Sequence, residues 1–314
     1  MLNTNERNWQ SNLDSLKNMH SEIAKSLKGK KVAYIDIPLY YNVGDILIYL
    51  GTEQFIEDND INVIHRAYQK NIDYSKLEHA DVIMFQGGGN FGDLYIKHQN
   101  LRERIIKKYP HKDIIMLPQT IYFKSQEEEI RSAKVFNEHK NLTFYVRDKR
   151  SFDIAQSFSN KVILMPDMAH SLHPLVDIQE VVDNNRPIRR VLNLGRKDVE
   201  STGQSNALNK KTFDWVNMLS LSDHIILKCF KKLQKVPVLK YKTASNWKIQ
   251  SDSLLFRSSN FFLQHEIVHT DRLHGLILSV LLGRKVILSD NSYGKNTAYH
   301  KQWLSENPLI TKKY

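Results

Sequence analysis

The segment best equipped for chemistry is Asp271-Arg272-Leu273-His274-Gly275, which follows the apolar run Glu266–Thr270 and opens the apolar stretch LILSVLLG. Thr270 or Asp271 reads as a helix N-cap, which sets Arg272 and His274 in the first turn. Free backbone N–H groups and the helix dipole favour an anion there, and Arg272 adds a full charge. Residues two apart on a regular helix point to nearly opposite sides. For both to serve one ligand, the turn must be distorted or one residue must reach past the helix end. A lone histidine is most often structural; one placed two residues from an arginine at such a turn points to chemistry.

Other strand ends carry related residues. Arg147-Asp148 follows LTFYV (142–146); Arg147 reads either as half of a structural ion pair with Asp148 or as a guanidinium gripping a carboxylate or phosphate. Lys295 closes the polar loop after KVILS (285–289). Arg147, Arg272 and Lys295 together suit a small, multiply charged anion. In PLYYNVGD, Asn42 and Gly44 make a turn and Asp45 reads as the cap of the following helix; the same Asn42 and Asp45 could hydrogen-bond sugar hydroxyls. Gly87, Gly89 and Gly92 of GGGNFGD fit the spacing GxGxxG, which in a dinucleotide site needs an acid at the end of the next strand. That strand ends in Pro118-Gln119-Thr120, and its acid, Asp113, lies at the wrong end, so the dinucleotide reading is weak. A glycine-rich turn that lets a ligand approach the backbone remains.

The elements that must hold these residues alternate. Apolar runs at 32–37, 61–65, 81–86, 113–118, 142–146 and 161–165 read as strands, with crossover helices at 45–58, 94–109, 126–138 and 148–157. Strands apolar on both faces and separated by helices predict parallel sheets covered by helices. Residues 173–190 read as a linker, after which strands are predicted at 190–195, 224–228, 266–270 and 285–289. The expectation is an α/β protein of two Rossmann-like domains, 1–175 and 186–314, with an amphipathic helix over 7–28 at the start.

Composition narrows the class. Hydrophobic residues make up 41% and charged ones 25%, which excludes wholesale disorder. Lys and Arg total 45 against 34 Asp and Glu, a net +11 that draws in anions. The one cysteine, Cys229, excludes an intramolecular disulfide framework and a cysteine-based zinc site. A polar N-terminus without a signal-peptide pattern, and no apolar run near the roughly 20 residues of a bilayer span, predict a cytoplasmic protein.

The ordered set NVGD, GGGNFGD, VRD, TDRLHG and DNSYGKN, spread over roughly 32–297, resembles the polysaccharide pyruvyl transferase family. The resemblance implies a glycosyltransferase-B-like pair of domains with a cleft between them. It implies phosphoenolpyruvate as donor, with no separate cofactor, and a saccharide acceptor to which pyruvate is attached as a ketal. Carried over, Arg147, Arg272, Leu273 and His274 form the donor site, while Asn42, Asp45, Gly87, Gly88 and Asn90 lie on the opposite lip, nearer the acceptor. A lipid-linked acceptor and a peripheral place at the inner face of the membrane belong to the same expectation.

The inventory suits that chemistry. Phosphoenolpyruvate carries a carboxylate and a phosphate, for which two arginines and a helix N-terminus are natural receptors. Its methylene carbon must be protonated, and histidine can carry that proton near neutrality. His274 is thus the expected general acid, with Arg147 and Arg272 neutralising the departing phosphate and no metal required. The competing readings are a nucleotide-sugar glycosyltransferase of the same architecture and a non-catalytic glycan-binding subunit. Nucleic-acid binding fits the charge but no motif.

Overall fold

The computed structural model describes residues 3–176, 189–195, 212–234, 236, 239, 243–290 and 294–312. Two parallel sheets organise them. The first contains β1 (Val32–Ile35), β2 (Val63–Ala67), β3 (Val82–Phe85), β4 (Gly88–Gly92), β5 (Asp113–Tyr122), β6 (Leu142–Val146) and β7 (Lys161–Leu164). Its order is β2-β1-β3-β5-β6-β7, with β4 pairing beside β5. The second, in the order β11-β10-β9-β8, contains β8 (Arg189–Leu194), β9 (His265–Thr270), β10 (Lys285–Leu288) and β11 (Ile310–Lys312). The chain turns from β2 back past β1 to β3, so the first sheet has a topological switch between β1 and β3. A crevice beyond the carboxyl ends of the strands is expected at such a point.

The described helices are α1 (Thr4–Met19), α2 (Ser21–Leu27), α3 (Val43–Asp58), α4 (Tyr74–His79), α5 (Ile96–Lys108), α6 (Gln126–Asn137), α7 (Lys149–Ala155), α8 (Leu221–Leu233), α9 (Thr243–Leu263), α10 (Leu273–Leu281) and α11 (Lys295–Trp303). Helix α3 is buried nearly all round, including Ile46, Leu47, Tyr49, Leu50 and Phe55. A helix apolar on every side needs partners on every side. It finds them in the first sheet and in α9 and α10 of the second. One apolar cluster therefore runs from Val32 and Met84 through α3 to Trp247, Leu276 and Val286. A separate cluster, including Phe85, Phe91, Phe144 and Phe158, fills the other face of the first sheet.

Several expectations change. The helix predicted over 7–28 is two helices parted at His20, whose buried ring bonds the Ser171 hydroxyl at 2.7 Å and the Pro166 carbonyl at 3.1 Å. Helix α1 reaches the helices of the second half: Trp9 Nε1 donates to the Val280 carbonyl of α10 at 2.7 Å, and Asn12 Nδ2 to that of Trp303 in α11 at 3.2 Å. The strand predicted at 224–228 lies inside α8. Its short apolar run is equally compatible with either structure, and the capping box of Ser220 and Asp223 decides for helix. The loop predicted at Gly87–Asp93 contains strand β4. Gly92 has φ 127 there, and a Cβ at this position would come within 1.8 Å of the Tyr122 carbonyl oxygen. The cap of α3 is Asn42, whose side chain accepts from Gly44 N at 3.0 Å; Asp45 lies inside the first turn. Of the linker predicted at 173–190, Arg189 and Arg190 already belong to β8, and 177–188 lie outside the described residues.

Candidate active site

A cleft of about 310 Å³ opens at the carboxyl ends of both sheets. From the first sheet's side it is lined by Tyr40, Asn42, Gly44, Asp45, Gly89, Asn90, Tyr95, His98 and Arg147; from the second by Trp215, Arg272, Leu273, His274 and Asn296.

Arg147 leaves the end of β6 and is almost wholly buried. Its Nε donates to Thr120 Oγ1 at 2.8 Å and its Nη1 to Asp167, while Nη2 faces Gly89, where a Cβ would stand 3.2 Å away. The ion-pair partner is therefore Asp167 and not Asp148, which instead caps α7 through Ser151 N at 2.8 Å. Asp167 has no exposed surface. Burial alone would raise its pKa, but the Arg147 guanidinium and His274 outweigh it and hold the carboxyl well below the usual carboxylate range. Behind it, the Asp167 N–H donates to the Tyr299 hydroxyl at 3.0 Å, and His170 Nε2 lies 2.9 Å from the same oxygen. Burial lowers His170 to about 3, so that ring is a neutral member of the network.

His274 comes from the second sheet but is held by the first. Its Nε2 lies 3.3 Å from Asp167 Oδ2 and 3.5 Å from Arg147 Nη1. A proton on Nε2 satisfies the carboxylate; without it, the guanidinium can donate instead. The ring's other edge rests on Gly44, where a Cβ would lie 2.7 Å from His274 Nδ1. Glycine in NVGD is thus the residue that admits the histidine.

Arg272 resolves the geometric difficulty of the DRLHG turn. It is the N-cap of α10, with extended backbone (φ −104, ψ 125), and so precedes the helix while His274 sits in its first turn. Thr270 Oγ1 accepts from the Arg272 N–H at 3.0 Å. Arg272 Nη2 pairs with Asp214, whose carboxylate also caps the turn Trp215–Met218. The Arg272 Nε is buried without a hydrogen-bond partner. A buried N–H in that state leaves a donor for an acceptor in the cleft, a water or a group of a ligand.

On the opposite lip, Asp45 faces His274, Tyr40 and Arg147. Burial raises its pKa, and the nearby His274, the Tyr40 hydrogen bond and Arg147 offset this only in part. Asn90 is fixed from beneath: the fully buried Arg102 donates to its carbonyl oxygen at 3.0 Å and to its Oδ1 at 2.5 Å. Arg102 is itself anchored to Asp36, which also takes His98 Nδ1 at 2.8 Å.

Of the residues singled out from sequence, Arg147, Arg272, Leu273, His274, Asn42, Asp45 and Asn90 meet in this cleft. Gly87 and Gly88 do not line it. They are buried, Gly87 against Pro118 and Gly88 beside Ile48, while the half-buried Gly89 lines the cleft. The Lys295 backbone opens α11, but its side chain, like residues 291–293, lies outside the described residues. Sequence reasoning missed Asp167, Asp36, His98 and Arg102. Asp167 obeys the same strand-end rule, just beyond β7, but after Pro166 it reads as a turn residue. Among the described residues, no group of three His, Cys, Asp or Glu side chains is placed to hold a metal ion.

Comparison with known proteins adds the lineage. The family model described as polysaccharide pyruvyl transferase matches residues 42–293. A Bacillus subtilis (strain 168) protein named "Putative pyruvyl transferase EpsO" is 38% identical over 292 residues, covering 90% of this chain and 88% of that one. Pyruvyl transferase 1 of Schizosaccharomyces pombe is 32% identical over 290 residues, covering 88% and 70%. The crystal structure of a Klebsiella pneumoniae protein, KP1_0663, superposes with a TM-score of 0.62 at 23% identity, over 95% of this chain and 99% of that one, and so shares the fold. With its matched segment running from the Asn42 cap past the DRLHG turn, the chain belongs to the polysaccharide pyruvyl transferase family.

Proposed function

We propose that this chain transfers pyruvate from phosphoenolpyruvate to two hydroxyls of a saccharide, forming a ketal and releasing phosphate. The observation that carries the reading is the convergence of Arg147, Arg272 and His274 in one cleft, with the Arg272 Nε unpaired. Two guanidinium groups and the start of α10 supply the charge that the donor's carboxylate and phosphate require.

His274 acts as the general acid. It protonates the donor's methylene carbon, and the adjacent carbon becomes cationic. An acceptor hydroxyl then attacks that carbon and loses its proton. Phosphate departs with a proton, and a second hydroxyl closes the ring, losing the last proton. The support for His274 is its setting, since Nε2 has a partner whether or not it holds a proton. Arg147 and Arg272 stabilise the charge gathering on phosphate. Asp45, a carboxyl whose pKa is raised, takes the proton of the attacking hydroxyl in this scheme. Asn42 and Asn90 orient the sugar.

The test is to incubate the full chain with phosphoenolpyruvate and an oligosaccharide acceptor and weigh the product. A gain of one pyruvate less one water is expected. A gain of a hexose from a nucleotide sugar in the same cleft would replace this reading with glycosyl transfer.

A further inference from the structure

Helix α8 packs on α9 by one face only. Asp223 accepts from Arg257 Nη1 at 3.0 Å and Nη2 at 2.8 Å, and Phe230 meets Trp247 edge-on, 5.5 Å between ring centres. The outward face carries Leu221, Ile225, Lys228 and Lys232, at steps of four, three and four that keep them in one stripe. Leu221 is 83% exposed and Ile225 61%, and both lysines are exposed. On α9, Ile249 (63%) and Phe256 (67%) stand seven residues apart on one outward face. Val216 (64%) projects from the turn just before α8. These are the five most exposed large apolar side chains among the described residues, and all lie between 216 and 256.

The charge on this surface has one sign. The acids of the two helices, Asp223 and Asp252, are paired with Arg257 and Lys248, while Lys228, Lys231 and Lys232 extend the apolar stripe. Separate aliphatic and aromatic side chains on rounded helix faces, flanked by lysines, match acyl chains beneath anionic headgroups. A protein partner would call instead for a concave, pocketed apolar centre. The position is also informative. Trp215 lines the cleft and stacks on Phe262, while its neighbour Val216 belongs to the exposed surface. One residue separates the cleft wall from this face.

We infer that the outward stripe of α8, formed by Leu221, Ile225, Lys228 and Lys232 and continued by Val216 just before it, docks on an anionic lipid bilayer. No described helix is long and apolar enough to cross a membrane, so the contact is peripheral. Insofar as it delivers a lipid-carried saccharide to the cleft, the inference rests on the proposed reaction; the lipid contact itself does not.

The test is cosedimentation of the full chain with vesicles of phosphatidylcholine alone or mixed with phosphatidylglycerol. Binding to the mixed vesicles is expected, weakening as salt is raised. Each lysine near an anionic surface is worth about fivefold in partition, so Lys228→Ala with Lys232→Ala should weaken it by about thirtyfold. Leu221→Glu with Ile225→Glu should abolish it. Both pairs should leave the melting temperature and pyruvyl transfer to a water-soluble oligosaccharide unchanged. Wild-type partition of both pairs, or no binding by the wild type, overturns the proposal. So does a dimer in sedimentation velocity that the Glu pair dissolves, which would make the face a contact between copies. Vesicle binding by a chain that transfers no pyruvate would sustain the lipid contact and sink the reaction.

Discussion

The two walls of the cleft are built on different principles. On the first sheet's side, the polar groups are locked before any ligand arrives: Arg147 by Thr120 and Asp167, and Asn90 by an Arg102 that is itself tied to Asp36. On the second sheet's side, Arg272 is held by Asp214 but keeps one buried N–H unpaired, as Arg102 does beneath the first wall, and the bonds of His274 run to the first side, to Asp167 and Arg147. The histidine takes its surroundings across the cleft, from Asp167, Arg147 and Gly44. The difference is one of support: the first wall is braced by residues of its own half, and the histidine of the second is braced from across the cleft. Preorganised dipoles that need not move at the moment of reaction are what electrostatic catalysis requires.

The largest effect should come from His274→Gln, which keeps shape and some hydrogen bonding but carries no acid near neutral pH. Turnover should fall by about 10²–10⁴-fold, while phosphoenolpyruvate affinity, measured by calorimetry, changes far less. Near-wild-type turnover would move the acid elsewhere. A joint loss of melting temperature, affinity and turnover would make His274 a structural residue.

The two arginines should then separate. Arg147→Ala leaves the buried Asp167 carboxylate without its main counter-charge, a change that costs about 3–5 kcal/mol of stability and shows in denaturant unfolding. Arg272→Ala should cost less stability, because Asp214 keeps its hydrogen bonds to the turn it caps. Donor affinity should instead weaken by about tenfold to a hundredfold, from charged hydrogen bonds worth about 1.5–3 kcal/mol each. Equal losses of stability in the two variants would erase the distinction between the walls. Unchanged affinity in a folded Arg272→Ala protein would remove the donor from this position.

The effect least tied to the cleft is acid sensitivity behind the first wall. Burial lowers His20 to about 4 and His170 to about 3, both below the ordinary value near 6.5. Below that value the unfolded chain binds protons that the folded one refuses, so stability falls as pH drops from about 6.5 toward 4. By pH 5 the loss should be on the order of 1–2 kcal/mol per histidine. A melting temperature flat between pH 7 and 5 would contradict it.

Much of this fold is legible in the sequence, for reasons visible in particular elements. Runs such as VIMF and LTFYV are apolar on both faces, and burial between helix layers requires that. The strand-end turns that carry Asn42 and Arg272 announce themselves because their chemistry is local, but the caps are displaced: Asn42 and not Asp45 caps α3, and Arg272 and not Thr270 or Asp271 caps α10. β4 is hidden because a glycine-rich strand has little strand propensity; its pairing with β5 comes from the sheet. The run at 224–228 is too short for periodicity alone to classify, and Ser220 with Asp223 decides it. Asp167 stands 20 residues from Arg147 and 107 from His274, and Asp36 stands 66 from Arg102. Such pairings depend on where the strands end in space, which no local pattern encodes.

Helix α1 has a consequence for how the chain reaches this state. Trp9 bonds a carbonyl 271 residues away, and Asn12 one that is 291 away. During synthesis from the N-terminus, these contacts must wait until Val280 and Trp303 have left the ribosome. The first sheet can assemble long before then, as domains tend to do. Closure of α1 over the helices of the second half carries a high contact order and comes late. Until it does, the apolar stripe of Trp9, Leu13 and Leu16 has no second half to cover it. A nascent chain at that stage leaves that stripe uncovered, and its final compaction is timed by the emergence of residues 280 to 303.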